Sequence, residues 1–240
     1  MLLQVIFFAL VPALAIFVGG LFASYRPPTK STKSFVQHFA AGVVFAALVG
    51  EVLPDLTAHH PSPVWVVIGF GLGVALMLWI RWFIENKVSK PGHAAADNPT
   101  TLILVVGLDI LIDGMLIGVG LSLGQINGVL LTAALGIEIL FLGLSTGGEM
   151  VEALYPRRQI LTTLAILMIP PIVGVFAGGY LLAGISENIM IVVLSFAAAA
   201  LLYLVTEELL VEAHEVPETP FSTASFFVGF LVFYILEMLL

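Results

Sequence analysis

FAAGVVFAALVGEVLPD, residues 39–55, and FAAAALLYLVTEELLVE, residues 196–212, are two versions of one alanine-rich apolar segment that closes on acids. Phe39 pairs with Phe196, Glu51 with Glu208, and Asp55 with Glu212. A bilayer-spanning helix needs about 20 mostly apolar residues, and each segment reaches that length with its flanks. The same test along the chain predicts eight transmembrane helices, near 2–24, 35–57, 63–84, 101–124, 127–150, 160–184, 188–211 and 221–240. Turn and charge signals separate them: Arg26-Pro27-Pro28, His60-Pro61-Ser62-Pro63, Lys87 to Pro99, Gln125 to Gly128, Pro156-Arg157-Arg158, Ser186-Glu187-Asn188 and Val216-Pro217-Glu218.

Composition demands the same solvent. Of 240 residues, 60% are hydrophobic and 10% charged, and mean hydropathy is +1.13. Soluble domains carry about a quarter charged residues, so lipid must cover much of this surface. Net charge is −8, and the eight Lys and Arg form no basic stripe. Nucleic acid is therefore not an expected partner. Cysteine is absent, which removes disulfides, thiolate ligands and thiol nucleophiles together. No basic region precedes the first apolar run and no small-residue cleavage site follows it, so it reads as a retained helix.

The basic residues orient the bundle. Arg26, Lys30 and Lys33 follow the first run. Arg81, Lys87 and Lys90 lie at or beyond the end of the third. Arg157 and Arg158 follow the fifth. With eight helices these places share one side, which the positive-inside rule makes cytoplasmic. Both termini are then expected to be extracytoplasmic. Glu212, Glu215 and Glu218 fall on the cytoplasmic side but barely affect that rule.

The repetition extends further. Pro12, Phe17, Gly19 and Gly20 recur at the same spacings as Pro171, Phe176, Gly178 and Gly179. GLDILIDG (107–114) resembles GIEILFLG (136–143). On this topology each pair runs oppositely across the membrane. The expected architecture is all-α, a single domain over 1–240. Helices 1–3 mirror 6–8 around a central 4–5 hairpin, a 3+2+3 inverted repeat. Such repeats are typical of secondary transporters, with substrate near the midplane.

Asp109 and Asp113 stand four residues apart in mid-run 4, on one helical face. A charge at that depth costs about 3 kcal/mol on insertion scales. Glu138, the repeat partner of Asp109, reaches similar depth in run 5. No Lys, Arg or His lies in mid-helix to neutralise these acids. Carboxylate oxygens suit hard or borderline divalent ions, so the three are the expected metal ligands. A buried network of protonated acids is the bland alternative. Ser145 and Glu149 continue near the face of Glu138 as a polar lane. Glu51 and Asp55, with His59 beyond, suggest an outer access funnel, and Glu207 or Glu208 with Glu212 mirror it inside. His38, His59, His60 and His214 sit near helix ends, where solvated rings are the commoner outcome. His93 lies in the loop after run 3. Gly114 and Gly118, and Gly120 and Gly124, form small-residue steps that let helices approach in lipid. Pro170-Pro171 and Pro12 are expected to break the hydrogen-bond ladder of their helices.

Taken together these features resemble the ZIP (Zrt/Irt-like protein) family of divalent-metal transporters. The segments from His38 to Pro54 and from Phe196 to His214 carry the strongest likeness. The resemblance implies eight helices in a 3+2+3 arrangement, transport of zinc, iron or manganese toward the cytoplasm, and a homodimer. The family's fourth helix carries His-Asn-x-Pro-Glu-Gly. Setting Glu-Gly on Asp113-Gly114 puts Asp109 at the His, Ile110 at the Asn and Ile112 at the Pro. In the fifth, Gly143 matches, Leu142 falls where Glu is usual and Glu138 takes the first position. In the sixth, Pro170-Pro171 stands for Glu-Pro. These departures imply one all-oxygen site and a shift toward harder ions.

The expectation is a multi-pass transporter of the cytoplasmic membrane, of prokaryotic type, with no enzymatic activity. The metal is its substrate and no cofactor is required. Asp113, Asp109 and Glu138 are the central ligands, and Glu51 and Glu208 are candidates along the access routes. No Walker-type loop appears, so transport is expected without ATP. Two rivals stay open. One is the same scaffold carrying protons or an organic solute, or acting as a sensor. The other is an intramembrane aspartyl hydrolase, in which Asp113 and Glu138 would share a proton to activate water.

Overall fold

The computed structural model describes residues 2–84, 98–181, 186–215 and 219–239. The expectations for Lys87, Lys90, His93, Val216, Pro217 and Glu218 lie outside the described residues. Among the described residues all regular structure is helical. Eight helices are long and apolar enough to cross a membrane. They are α1 (Leu2–Tyr25), α2 (Lys30–Ala58), α3 (Pro63–Phe83), α4 (Pro99–Leu123), α5 (Gln125–Glu152), α6 (Arg157–Tyr180), α7 (Glu187–Ala213) and α8 (Pro220–Leu239).

Local chemistry explains their limits. The Asn98 side chain accepts a hydrogen bond from the Thr100 amide at 3.0 Å, capping α4. Pro99 follows in the first turn, where its missing N–H costs nothing. The expected loop at Gln125 to Gly128 is shorter than the composition suggested. Gly124 alone, in extended backbone, separates α4 from α5. Met168 interrupts α6 between Arg157–Leu167 and the segment that starts at Ile169. The ring of a helical proline clashes with the carbonyl four residues back, and Pro170-Pro171 supplies two. Pro12 behaves differently from the expectation: α1 runs through it unbroken. A single proline removes one ladder bond, which a long, well-packed helix absorbs.

Two helices carry a π-turn. In α2 it spans Leu48–Val52, and in α7 Leu204–Leu209. Leu53 N–H bonds the Leu48 carbonyl and Leu210 N–H the Val205 carbonyl, each five residues back. The two turns contain Glu51 and Glu208, the residues paired in the sequence repeat.

The chain divides into two compact units, 1–29 with 82–181 and 30–81 with 182–240. In the first, α1 packs on α5 and α4 packs on α6, both through glycine. A Cβ on Gly19 would land on the Leu140 carbonyl, and one on Gly143 on the Ile16 carbonyl. A Cβ on Gly114 would strike Pro171 backbone, and one on Gly178 the Met115 carbonyl. Close backbone approach of this kind is how helices associate where lipid offers no hydrophobic drive. Ile16, Val106, Ile110, Ile139, Leu164 and Leu167 fill the core between them.

In the second unit α2 packs on α8, where Gly42 meets the Phe226 carbonyl and Gly229 the Phe39 carbonyl. α3 meets α7 through Gly69 at Val192 and Gly73 at Ala199. The alanines of α2 and α7 supply the buried faces, among them Ala40, Ala41, Ala197 and Ala198. Large apolar side chains such as Phe7, Phe22, Trp79, Phe227 and Leu231 are exposed. A lipid-facing surface has that character.

Candidate cation site

The site belongs to α4 and α5 of the first unit. At 1.5 Å rise per residue, Asp109 and Asp113 sit about 15 and 21 Å from the start of a helix about 37 Å long. They therefore straddle its midpoint. Glu138 lies at the middle of α5. Asp113 is 2% exposed and Glu138 1%, while Asp109 is partly exposed.

The fold brings the three together. One oxygen from each carboxyl lies within 4.8 Å of the other two. Across an ion with oxygens at 2.3–2.6 Å, opposite ligands stand about 5 Å apart. The separation therefore admits a cation with little contraction. A smaller ion with oxygens near 2.1 Å requires the carboxyls to draw in further. Asp113 Oδ2 is enclosed and accepts no hydrogen bond among the described residues. An orphaned oxygen in low dielectric is costly unless something binds it. The Glu138 and Asp113 carboxyls face each other across this gap. Two carboxyls so placed can share a proton or bind a metal through the same oxygens.

The residues of the polar lane fall on the same helix as Glu138. The Ser145 hydroxyl donates to Glu149 at 3.1 Å, and Ser145 is buried. The remaining sequence candidates belong to the second unit. Glu51 is buried, with the negative charges of Glu237 and Asp55 nearby. Glu207 is exposed and pairs with Arg81 at 3.0 Å. Glu208 is partly exposed. Glu212 accepts a hydrogen bond from the Gln37 side-chain amide.

The histidines find local partners. His38 is buried with Nδ1 2.8 Å from the Ser34 carbonyl, and its ring stands edge-on to that of His214, centroids 5.2 Å apart. His59 Nδ1 lies 3.1 Å from the Asp55 carbonyl. A carbonyl only accepts, so Nδ1 carries the proton in both His38 and His59. His60 follows α2 with φ 44, a turn conformation ahead of Pro61.

Sequence reasoning missed Glu237. It lies three residues from the chain end in an otherwise apolar helix, and no repeat partner or spacing rule drew attention to it. Its isolation among apolar residues was the available signal. No family model matches the chain, and a search of curated proteins finds no match either.

Proposed function

We propose that this chain is a ZIP-like secondary transporter that carries a divalent metal ion toward the cytoplasm through the Asp109–Asp113–Glu138 site. The observation that carries the reading is the convergence of three mid-helix carboxyls on one point, one with a buried oxygen lacking any hydrogen bond. Intramembrane acids are expensive and mark ion or proton pathways. The all-oxygen donor set favours ions of the manganese class over those that prefer nitrogen or sulfur.

Two further features support the transporter reading. π-Turns fall at repeat-equivalent places in α2 and α7, and each holds the repeated glutamate. Glycine contacts join α1 to α5 and α6 to α4, the pairings that an inverted repeat relates. In this reading helices 1–3 and 6–8 are inverted copies, the basic loops are cytoplasmic and both termini lie outside. The chain resides in a prokaryotic cytoplasmic membrane as a homodimer.

A second reading, a proton carrier, is favoured by the close approach of the Glu138 and Asp113 carboxyls. Proton binding and metal binding compete for the same oxygens, so metal entry would release a proton from the pair. The test is reconstitution in liposomes holding a pH-sensitive dye, with manganese, zinc, iron, cobalt and cadmium offered in turn. Saturable uptake of one metal that disappears in Asp113→Asn supports the metal transporter. Proton flux without uptake of any metal would replace it with the proton carrier. Peptide cleavage by the purified protein would instead revive the hydrolase.

A further inference from the structure

The second unit holds an acid cluster of its own, distant in sequence from the three mid-helix ligands. Glu51 lies in the π-turn of α2, 8% exposed. It makes no hydrogen bond or ion pair among the described residues. Its electrostatic neighbours are Glu237 and Asp55, both negative. Glu237 comes from the last turns of α8, and its Oε2 is buried without a hydrogen-bond partner. The backbone is shaped to receive it. The Glu237 carboxyl rests against Gly50, where a Cβ would collide with both of its oxygens. A side chain in place of hydrogen at 50 would expel that carboxyl.

Among the described residues no basic side chain pairs with Glu51 or Glu237. His59 interacts with Asp55 rather than with Glu51. Arg81 pairs with Glu207. Glu51 is buried and Glu237 is partly exposed with one enclosed oxygen, so two negative charges brought together here repel unless a cation stands between them or a proton neutralises one. π-Turns also recur at functional sites, because the widened ladder presents backbone differently from an α-turn.

We infer that Glu51 and Glu237 are the protein ligands of a second divalent-cation site, contained within the second unit and completed by water. Hard divalent ions are commonly held by one or two carboxylates with water filling the remaining positions. Asp55 adds negative potential beside the pair. The ion class is that of magnesium, calcium and manganese. The site is independent of transport and of the Asp109–Asp113–Glu138 cluster.

Manganese alone serves as the probe, because its electron paramagnetic resonance signal distinguishes free from bound ion. The titration uses full-length protein in nanodiscs, with Asp113→Asn and Glu138→Gln together removing the mid-helix site. One bound manganese per chain should remain in this background. Adding Glu237→Gln should weaken it at least tenfold, and Glu51→Gln, changed on the other helix, should do the same. Gly50→Ala should weaken it while leaving both carboxylates in place. No manganese bound in the background protein, or binding unaltered by both Glu237→Gln and Glu51→Gln, would overturn the inference. Liposome uptake by the wild type is measured separately. Uptake without residual binding sinks only the second site, and residual binding without uptake sinks only the transporter reading.

Discussion

The acids of the first unit and those of the second both lie in apolar helices, but they meet by different routes. Asp109, Asp113 and Glu138 lie on two helices joined through a single residue, Gly124, and all three sit near mid-helix. Their meeting follows from a hairpin between neighbours. Glu51 and Glu237 come from α2 and α8, near opposite ends of the chain, and meet because glycines let those helices touch. The first cluster sits on regular α-helix, whereas Glu51 sits on a π-turn. A site built from adjacent helices is specified by local spacing. One built from distant helices is specified by packing, and is more easily lost to a change elsewhere.

The largest expected effect breaks the first cluster chemically. Glu138→Gln keeps the size of the side chain and removes its charge. It should reduce metal uptake in liposomes to the level of Asp113→Asn; uptake near wild type would mean that Glu138 is structural. Next comes a packing change that leaves every acid in place. Gly114→Val drives side-chain atoms into Pro171 backbone. Overpacking costs about 1–3 kcal/mol, so its thermal midpoint in detergent should fall clearly. Gly107→Ala, whose Cβ would lie 3.6 Å from Pro170, should leave the midpoint nearly unchanged. If both melt alike, glycine-mediated approach does not hold α4 to α6.

A selectivity change sharpens the comparison further. Asp109 is the most exposed of the three acids, so it can be altered without emptying the buried pair. Asp109→His replaces an oxygen donor by imidazole nitrogen, which suits zinc better than magnesium or manganese. The ratio of zinc to manganese uptake should rise several-fold in competition assays, and an unchanged ratio would remove Asp109 from the ligand set. The smallest effect belongs to Arg81→Ala. Arg81 and Glu207 are each about half exposed, at 47% and 48%. Pairs of this kind contribute about 1 kcal/mol or less, so thermal unfolding should shift little.

Much of the first cluster was legible in the chain. The i, i+4 spacing of Asp109 and Asp113 places them on one face of any helix, and Glu138 follows in the next apolar run at matching depth. The eight spans were legible for a related reason: apolar length is a local property. Pro12 misled because a proline's effect depends on what packs around it. The Gln125 to Gly128 turn misled because polar residues also serve in a helix's first turn. Glu207 and Glu208 look interchangeable in sequence, yet only tertiary structure sets Arg81 beside Glu207. Glu237 stood out in sequence only as a lone acid in an apolar run, and nothing local named its partner on α2.

Sequence alone therefore determined that the chain is helical, that eight segments can span a bilayer, and that three acids occupy the middle of two adjacent helices. Each follows from hydrophobic length or helical periodicity, which act over a few residues. Tertiary structure alone decided that three carboxyl oxygens converge within 4.8 Å, that α2 and α7 widen into π-turns, and that Glu237 lies against Gly50. These depend on which helices touch and how closely. That is set by glycine contacts between segments far apart in the chain, whose partners no local pattern names.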